Sequence, residues 1–209
     1  MDKHFVITIS RNCGSGGSII GDQVAKELGI SYIDRQLLTM ASEQSGISET
    51  LFAQADEKLK KSFLTKVTQN VYKGELLPPE DDDFTSNRNL FNYQAKVLKE
   101  LATEQSYVVI GRCADFILKE MKNLLRVYIH APHEECVRKC MSEYMRSERE
   151  MEKHIQKTDK VRAEYYLHYT GKKWNEAANY DLCLNSLTLG YDGCVEQICQ
   201  AARRMMEQV

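Results

Sequence analysis

Apolar and polar positions along this chain switch repeatedly between a spacing of two and a spacing of three to four. Residues 5–9, Phe5-Val6-Ile7-Thr8-Ile9, form a short β-branched run that leads straight into a glycine-rich turn. In residues 18–28 the apolar Ile19, Ile20, Val24, Ala25 and Leu28 follow helical spacing, and Gly29 closes the segment. Residues 30–33 predict a second short strand. Residues 35–72 read as helical, with Leu37, Leu38, Met40 and Ala41 on one face and a helix start at Ser48-Glu49. Two prolines and an acidic run in residues 74–87, GELLPPEDDDFTSN, predict an exposed loop. Leu90, Tyr93, Val97, Leu98 and Leu101 then define another helix.

Residues 107–110 are a wholly apolar strand ending at Gly111-Arg112, residues 124–129 a further strand, and Ala131-Pro132 opens a helix. Residues 146–169 are rich in Lys, Arg, Glu and Tyr with few aliphatics, which predicts a solvated helix outside the core. Residues 180–185 are a last strand and 192–206 a closing helix. Strands separated by helices predict a parallel sheet covered on both faces.

Composition narrows the class without changing that picture. At 209 residues and 43% hydrophobic, the chain has enough apolar material for one sizeable core and is read as one domain. A net charge of −2 argues against a disordered tail protein and against a DNA or RNA polymer as partner. No apolar run approaches the ~20 residues that span a bilayer. The start, MDKHFVITIS, enters a strand pattern at once and has no signal-peptide core, so a cytoplasmic location is expected. The seven cysteines contain no C-x-x-C pair and are read as reduced, mostly buried thiols.

The first candidate chemistry lies in VITISRNCGSGGSIIGDQVAKEL, which reads strand, loop, helix. Gly14, Ser15, Gly16 and Gly17 stand where the chain must turn sharply, and glycine lets backbone N–H groups approach an anion closely. The free N–H groups and dipole of the following helix favour phosphate there. Ser18 adds a hydroxyl for phosphate or for a magnesium ion. Against the phosphate-loop pattern G-x-x-x-x-G-K-[ST], however, Gly17 stands at the lysine and Arg11 at the first glycine.

The second lies at the strand ends. Asp34-Arg35 follows the second strand and Gly111-Arg112 the third, which in a parallel sheet puts both at the carboxyl edge beside the glycine-rich turn. Arginine offers a planar fork for phosphate oxygens, and Asp34 is placed to orient Arg35 or to accept from a substrate group. In residues 146–169, Lys153, Lys157 and Lys160 share one helical face. Such a run is either a solvent-facing helix or a lid that brings cations over phosphates.

Taken together, ITISRNCGSGGSIIGDQVAKELGISYIDRQLL, VVIGRCADFIL, KTDKVRAEYYLHYTGKKW and NYDLCLNSLTLG resemble the cytidylate-kinase-like family, in order and over nearly the whole chain. The resemblance implies a P-loop three-layer α/β/α fold with a parallel sheet. It divides the chain into a core (1–34, 102–142 and 172–209), a helical acceptor-binding insertion (35–101) and a lid (143–171). It also implies transfer of the γ-phosphoryl group of ATP, with Mg²⁺, to a nucleoside monophosphate, CMP or dCMP first.

Carried over by residue, Gly14, Ser15, Gly16, Gly17 and Ser18 match the phosphate loop, with Ser18 at the metal. Asp34, Arg35 and Arg112 match the acceptor site, and Asp159 and Arg162 a lid pair. Classical members carry the loop lysine that Gly17 replaces here. Arg11 is the first candidate for the missing charge, with Arg162 and Lys157 behind it. The alternatives are a nucleotide-binding module without catalysis, or a kinase for another small phosphorylated acceptor. Oligomeric state is left open.

Overall fold

A computed structural model describes residues 4–58 and 75–207. Five strands form one sheet: β1 (Val6–Arg11), β2 (Ser31–Ile33), β3 (Tyr107–Ile110), β4 (Leu124–His130) and β5 (Leu182–Asn185). Their order across the sheet is β2-β3-β1-β4-β5, and every pair is parallel. The order reverses at β1, so the turn that leaves β1 lies over the sheet's switch point, where open α/β sheets bind ligands.

Period-two alternation sorts the strand side chains between two cores. Ile7 and Ile9 of β1, Val108 and Ile110 of β3, and Val127 and Ile129 of β4 pack under α1 (Gly17–Leu28) and α8 (Ser186–Glu207). Val6, Val109 and Tyr128 point the other way, onto a core that also takes Leu37 and Leu38 of α2 (Gln36–Ser45), Phe52 of α3 (Glu49–Lys58) and Leu98 of α4 (Asn87–Glu104). The result is a three-layer α/β/α fold. The helix expected over residues 35–72 is broken at Gly46, which ends α2 in the left-handed region (φ 73°), and α3 starts at Glu49 as the Ser48-Glu49 pair predicts. Its stretch from residue 59 onward lies outside the described residues, as does Gly74 of the predicted loop.

The largest departure from the sequence pattern is at residues 146–169. This segment is α7 (Glu148–Thr170), and it is part of the core. Tyr165, Tyr166 and Tyr169 are buried in the larger core, where Tyr169 stacks on Phe91 with ring centroids 3.9 Å apart. Met151 and Ile155 join Cys13, Cys136, Val137 and Cys140 in a third cluster against α6 (His133–Tyr144). The pattern hides this because tyrosine carries an apolar ring and a polar tip, and only the tip weighs against burial in a hydropathy reading.

Between α6 and α7, Met145 sits in the left-handed region (φ 52°) with its side chain 88% exposed. Met145→Gly relieves that backbone while removing almost no packing. It is expected to raise stability by about 0.5–1 kcal/mol, net of glycine's greater freedom when unfolded. A denaturant midpoint that does not move upward rejects this.

Candidate functional site

The turn after β1 is built by its own backbone. Asn12 N–H donates to the Ile129 carbonyl at 3.1 Å. The Ser15 hydroxyl is fully buried and donates to the carbonyls of Asn12 (2.9 Å) and Ile129 (3.2 Å). Ser186 in turn donates to the Ser15 carbonyl at 2.7 Å. Ser15 therefore serves the loop's shape, and its own N–H is likewise spent inside the loop, on the Asn12 carbonyl at 3.3 Å. Gly14 and Gly16 hold φ of 82° and 80°, and α1 begins at Gly17. The first-turn N–H groups of α1, with no intrahelical partners, are thereby turned outward beside Ser18.

Other elements press on these glycines so closely that no side chain fits. A Cβ on Gly14 would lie 2.7 Å from the Cys136 carbonyl oxygen, and one on Gly16 would overlap the Tyr191 ring. Lys139 places its ammonium over that ring at 4.4 Å. A Cβ on Gly17 would lie 2.5 Å from Cβ and 2.8 Å from Cγ of Arg11, and one on Gly111 would lie 2.6 Å from the Arg11 guanidinium. The Arg11 side chain thus runs across the face of Gly17 and ends at Gly111. The glycine at the lysine position and the arginine six residues earlier are two halves of one packing arrangement.

At the carboxyl edge, Asp34 follows β2, and Arg112 lies between β3 and the short helix α5 (Ala114–Ile117). Tyr32 links the first of these to the loop: its hydroxyl lies 3.1 Å from the Ser18 carbonyl, to which it donates, and 3.5 Å from the Asp34 carboxylate. Gly111, Arg112 and Cys113 form a run of three left-handed residues (φ 69°, 60° and 55°). Arg112 and Cys113 carry backbone strain there, of the kind that persists where the surroundings dictate the geometry. Arg35 stands at the start of α2, exposed and off the cavity wall.

Arg11, Asp34, Gly111, Arg112 and Cys113 line one cavity of about 360 Å³, whose wall includes none of residues 14–18. Among the described residues, Arg11, Arg112, Lys157 and Arg162 line it against a single carboxylate, Asp34, while Tyr165, Tyr166 and Trp174 make an aromatic wall. Burial, first, and then the neighbouring Arg162 and Arg112 push the pKa of Arg11 down, while Asp34 holds it up. Burial likewise lowers Arg112, against Tyr165 and Asp34. Such an arrangement stores electrostatic strain that an incoming anion relieves. Tyr166 is fixed from behind, since its hydroxyl donates to the buried Asp115 carboxylate at 2.6 Å.

Helix α7 crosses the mouth of the loop and is tied to it. Cys13 N–H donates to the Asp159 carboxylate at 2.8 Å, and the Asn12 side-chain amide donates to it at 3.0 Å. Arg162 Nη1 donates to the Arg11 carbonyl at 3.1 Å and lies 3.4 Å from Asp159. Asp159 thus sits at the start of the glycine-rich turn, on the Cys13 N–H, instead of lining the cavity. Asn12, Tyr128 and Trp174, which sequence spacing did not single out, belong to this site. Only Asn12 carried a signal, as a polar amide at the end of a buried strand.

The oxygen donors suit magnesium. The Tyr32 hydroxyl reaches both the backbone of Ser18, at its carbonyl, and the Asp34 carboxylate, so residues 18 and 34 bring a hydroxyl and a carboxylate to the same region, and Mg²⁺ is commonly held by one or two protein oxygens together with phosphates.

No curated protein sequence matches the chain. Among solved structures, an uncharacterized protein from Eubacterium ventriosum superimposes with a TM-score of 0.70 at 21% identity, over 96% of this chain and 99% of that one. A shikimate kinase from Bacteroides thetaiotaomicron gives 0.51 at 16% identity, over 95% and 98%. A gluconokinase from Sinorhizobium meliloti gives 0.53 at 12%, over 98% and 94%. At these identities the likeness is one of fold, that of the P-loop kinases. The family model that matches, over residues 6–188, is described as the cytidylate kinase-like family.

Proposed function

The chain belongs to the cytidylate kinase-like family, and on that premise we propose that it transfers the γ-phosphoryl group of ATP to a nucleoside monophosphate, most readily CMP or dCMP. The observation that carries the reading is the convergence of Arg11, Arg112, Lys157 and Arg162 on one cavity, which Arg11 joins to the phosphate loop by crossing Gly17. Phosphoryl transfer asks for little covalent chemistry and much positioning and charge, and this cavity supplies both.

In this reading Gly14, Gly16, Gly17 and Ser18 offer backbone N–H groups to the donor's phosphates, and Ser15 keeps the loop in shape. Ser18 and Asp34 are the residues that would hold Mg²⁺, which would supply positive charge to offset that on the transferring oxygens. Arg112 grips the acceptor's phosphate, and Arg35, at the exposed start of α2, meets it at the rim. Arg11, Arg162 and Lys157 surround the transferring group. The aromatic wall gives a planar base a face to stack on. Residues 35–101 form the acceptor-binding insertion and residues 143–171 the lid. The seven cysteines are all free thiols, which suits a cytoplasmic enzyme acting on small nucleotides.

The test is ATP consumption with Mg²⁺ across a panel of nucleoside monophosphates, with Arg112→Ala beside the wild type. Transfer to CMP or dCMP is expected, and Arg112→Ala should raise the acceptor KM by about 10²-fold, the loss of a bidentate charge-assisted contact. Turnover of shikimate or gluconate in place of every nucleotide would reassign the acceptor. Nucleotide binding with no transfer to any of them would make the chain a non-catalytic module.

A further inference from the structure

We infer that Asn12 is a positioning residue: through Asp159 it holds the lid's Arg162 against the phosphate loop, so that one short side chain at the end of β1 sets where a lid cation stands. The chain of contacts is continuous. Tyr128 on β4 donates its hydroxyl to Asn12 Oδ1 at 3.1 Å, and Asn12 Nδ2 donates to Asp159 Oδ2 at 3.0 Å. Asp159 Oδ1 takes Cys13 N–H at 2.8 Å and lies 3.4 Å from Arg162 Nη1, which also reaches the Arg11 carbonyl at 3.1 Å.

Each link fixes the next. An arginine left to itself keeps wide rotamer freedom, and losing it costs about 2 kcal/mol. Here its direction is set by two oxygens, one on the loop backbone and one on a carboxylate that is itself held by two donors. An amide meets both demands at position 12 from two separate atoms, accepting from the Tyr128 hydroxyl at Oδ1 and donating to the Asp159 carboxylate from Nδ2. Aspartate at position 12 would set two carboxylates face to face, and alanine would leave Tyr128 and Asp159 each short of a partner. The geometry also gives Asp159 a task different from contacting the acceptor: it faces the loop, and it is the hinge pin between Asn12 and Arg162.

What Arg162 does rests on the phosphoryl-transfer reading; how it is held does not, and the experiment keeps the two apart. Hydrogen exchange along α7 is measured on the full chain for wild type, Asn12→Asp, Asp159→Asn and the exchanged pair Asn12→Asp with Asp159→Asn. The exchanged pair restores one donor and one acceptor between the two positions with polarity reversed.

Asn12→Asp is expected to speed exchange in α7 by about tenfold or more, the worth of a charge-assisted hydrogen bond, with the β-sheet amides unchanged and the pair returning toward wild type. Unchanged α7 exchange in Asn12→Asp, or a pair no better than the single variants, would overturn the inference whether or not any acceptor is turned over.

With an active acceptor, Asn12→Ala should lower kcat by about 10- to 100-fold at nearly constant KM for ATP. In an Arg162→Ala background the same change should lower it no further. Losses that simply multiply in that background would make Asn12 a structural loop residue and sink the positioning role. If Asn12→Ala does not fold, Asp159→Asn takes its place in the cycle with Arg162→Ala under the same two outcomes.

Discussion

Arg11→Ala is expected to lower the turnover of phosphoryl transfer by about 10²- to 10³-fold while leaving the KM for ATP within a few-fold of wild type. The reason is where the guanidinium ends. It crosses Gly17 and stops at Gly111, inside the cavity, among Arg112, Arg162 and Asp34. There that cation is held at a disadvantage, since burial and two arginine neighbours push its pKa down against Asp34 and Tyr32. An arriving phosphate relieves this, and a transition state with charge spread over its oxygens relieves it more.

An interaction stronger in the transition state than in the ground state appears in kcat and not in KM. Steady-state kinetics of Arg11→Ala with the acceptor at saturation reads this directly. A turnover equal to wild type would show that Arg11 only packs, and the missing lysine charge would then fall to Arg162 and Lys157.

Restoring the loop lysine is expected to harm the protein. Gly17→Lys puts a Cβ 2.5 Å from Arg11 Cβ, at the stiff base of that side chain and not at its movable end, so the helix start or the loop must shift. Overpacking of this kind costs about 1–3 kcal/mol, and here the displaced atoms are the phosphate-binding ones. Transfer should fall below about 1% of wild type, a loss of the size that follows a missing catalytic donor, with a lowered thermal midpoint. The informative comparison is the four-cornered set of wild type, Gly17→Lys, Arg11→Gly and the double variant. The double variant is expected to be more stable and more active than Gly17→Lys alone, because Arg11→Gly removes both the Cβ and the Cγ that a side chain at position 17 would meet. Gly17→Lys with wild-type stability would refute the packing between positions 11 and 17.

These residues also show where a sequence stops being readable. The strands and α1 follow from periodicity, and the glycine-rich turn from the need to pass from β1 into α1; each is a local demand met by local residues. Gly17 is different. Read along the chain it is a gap in a motif, and its reason lies in a side chain that folds back over it from β1. Glycines that admit another element, as Gly14 does Cys136 and Gly16 does Tyr191, look the same in sequence as glycines that merely turn.

Tyr165, Tyr166 and Tyr169 were hidden for another reason. They lie among charged residues on α7, and their burial becomes visible only when Phe91 and Asp115 arrive to take ring and hydroxyl. Asp159 is legible as a polar residue on an expected lid, but its use on the Cys13 N–H depends on how α7 crosses the sheet. What tertiary contact decides, pattern along the chain does not carry.

Trp174 is the one tryptophan of the chain, and it stands in the aromatic wall of the cavity, edge-on to Tyr128 with ring centroids 5.7 Å apart and planes at 89°. Tyr128 is the residue that orients Asn12. Indole emission from this protein therefore originates at a single point, within reach of whatever fills the cavity and one ring removed from the tether of α7. The molecule carries its own optical label, and occupancy of the chamber is readable from unmodified protein in solution.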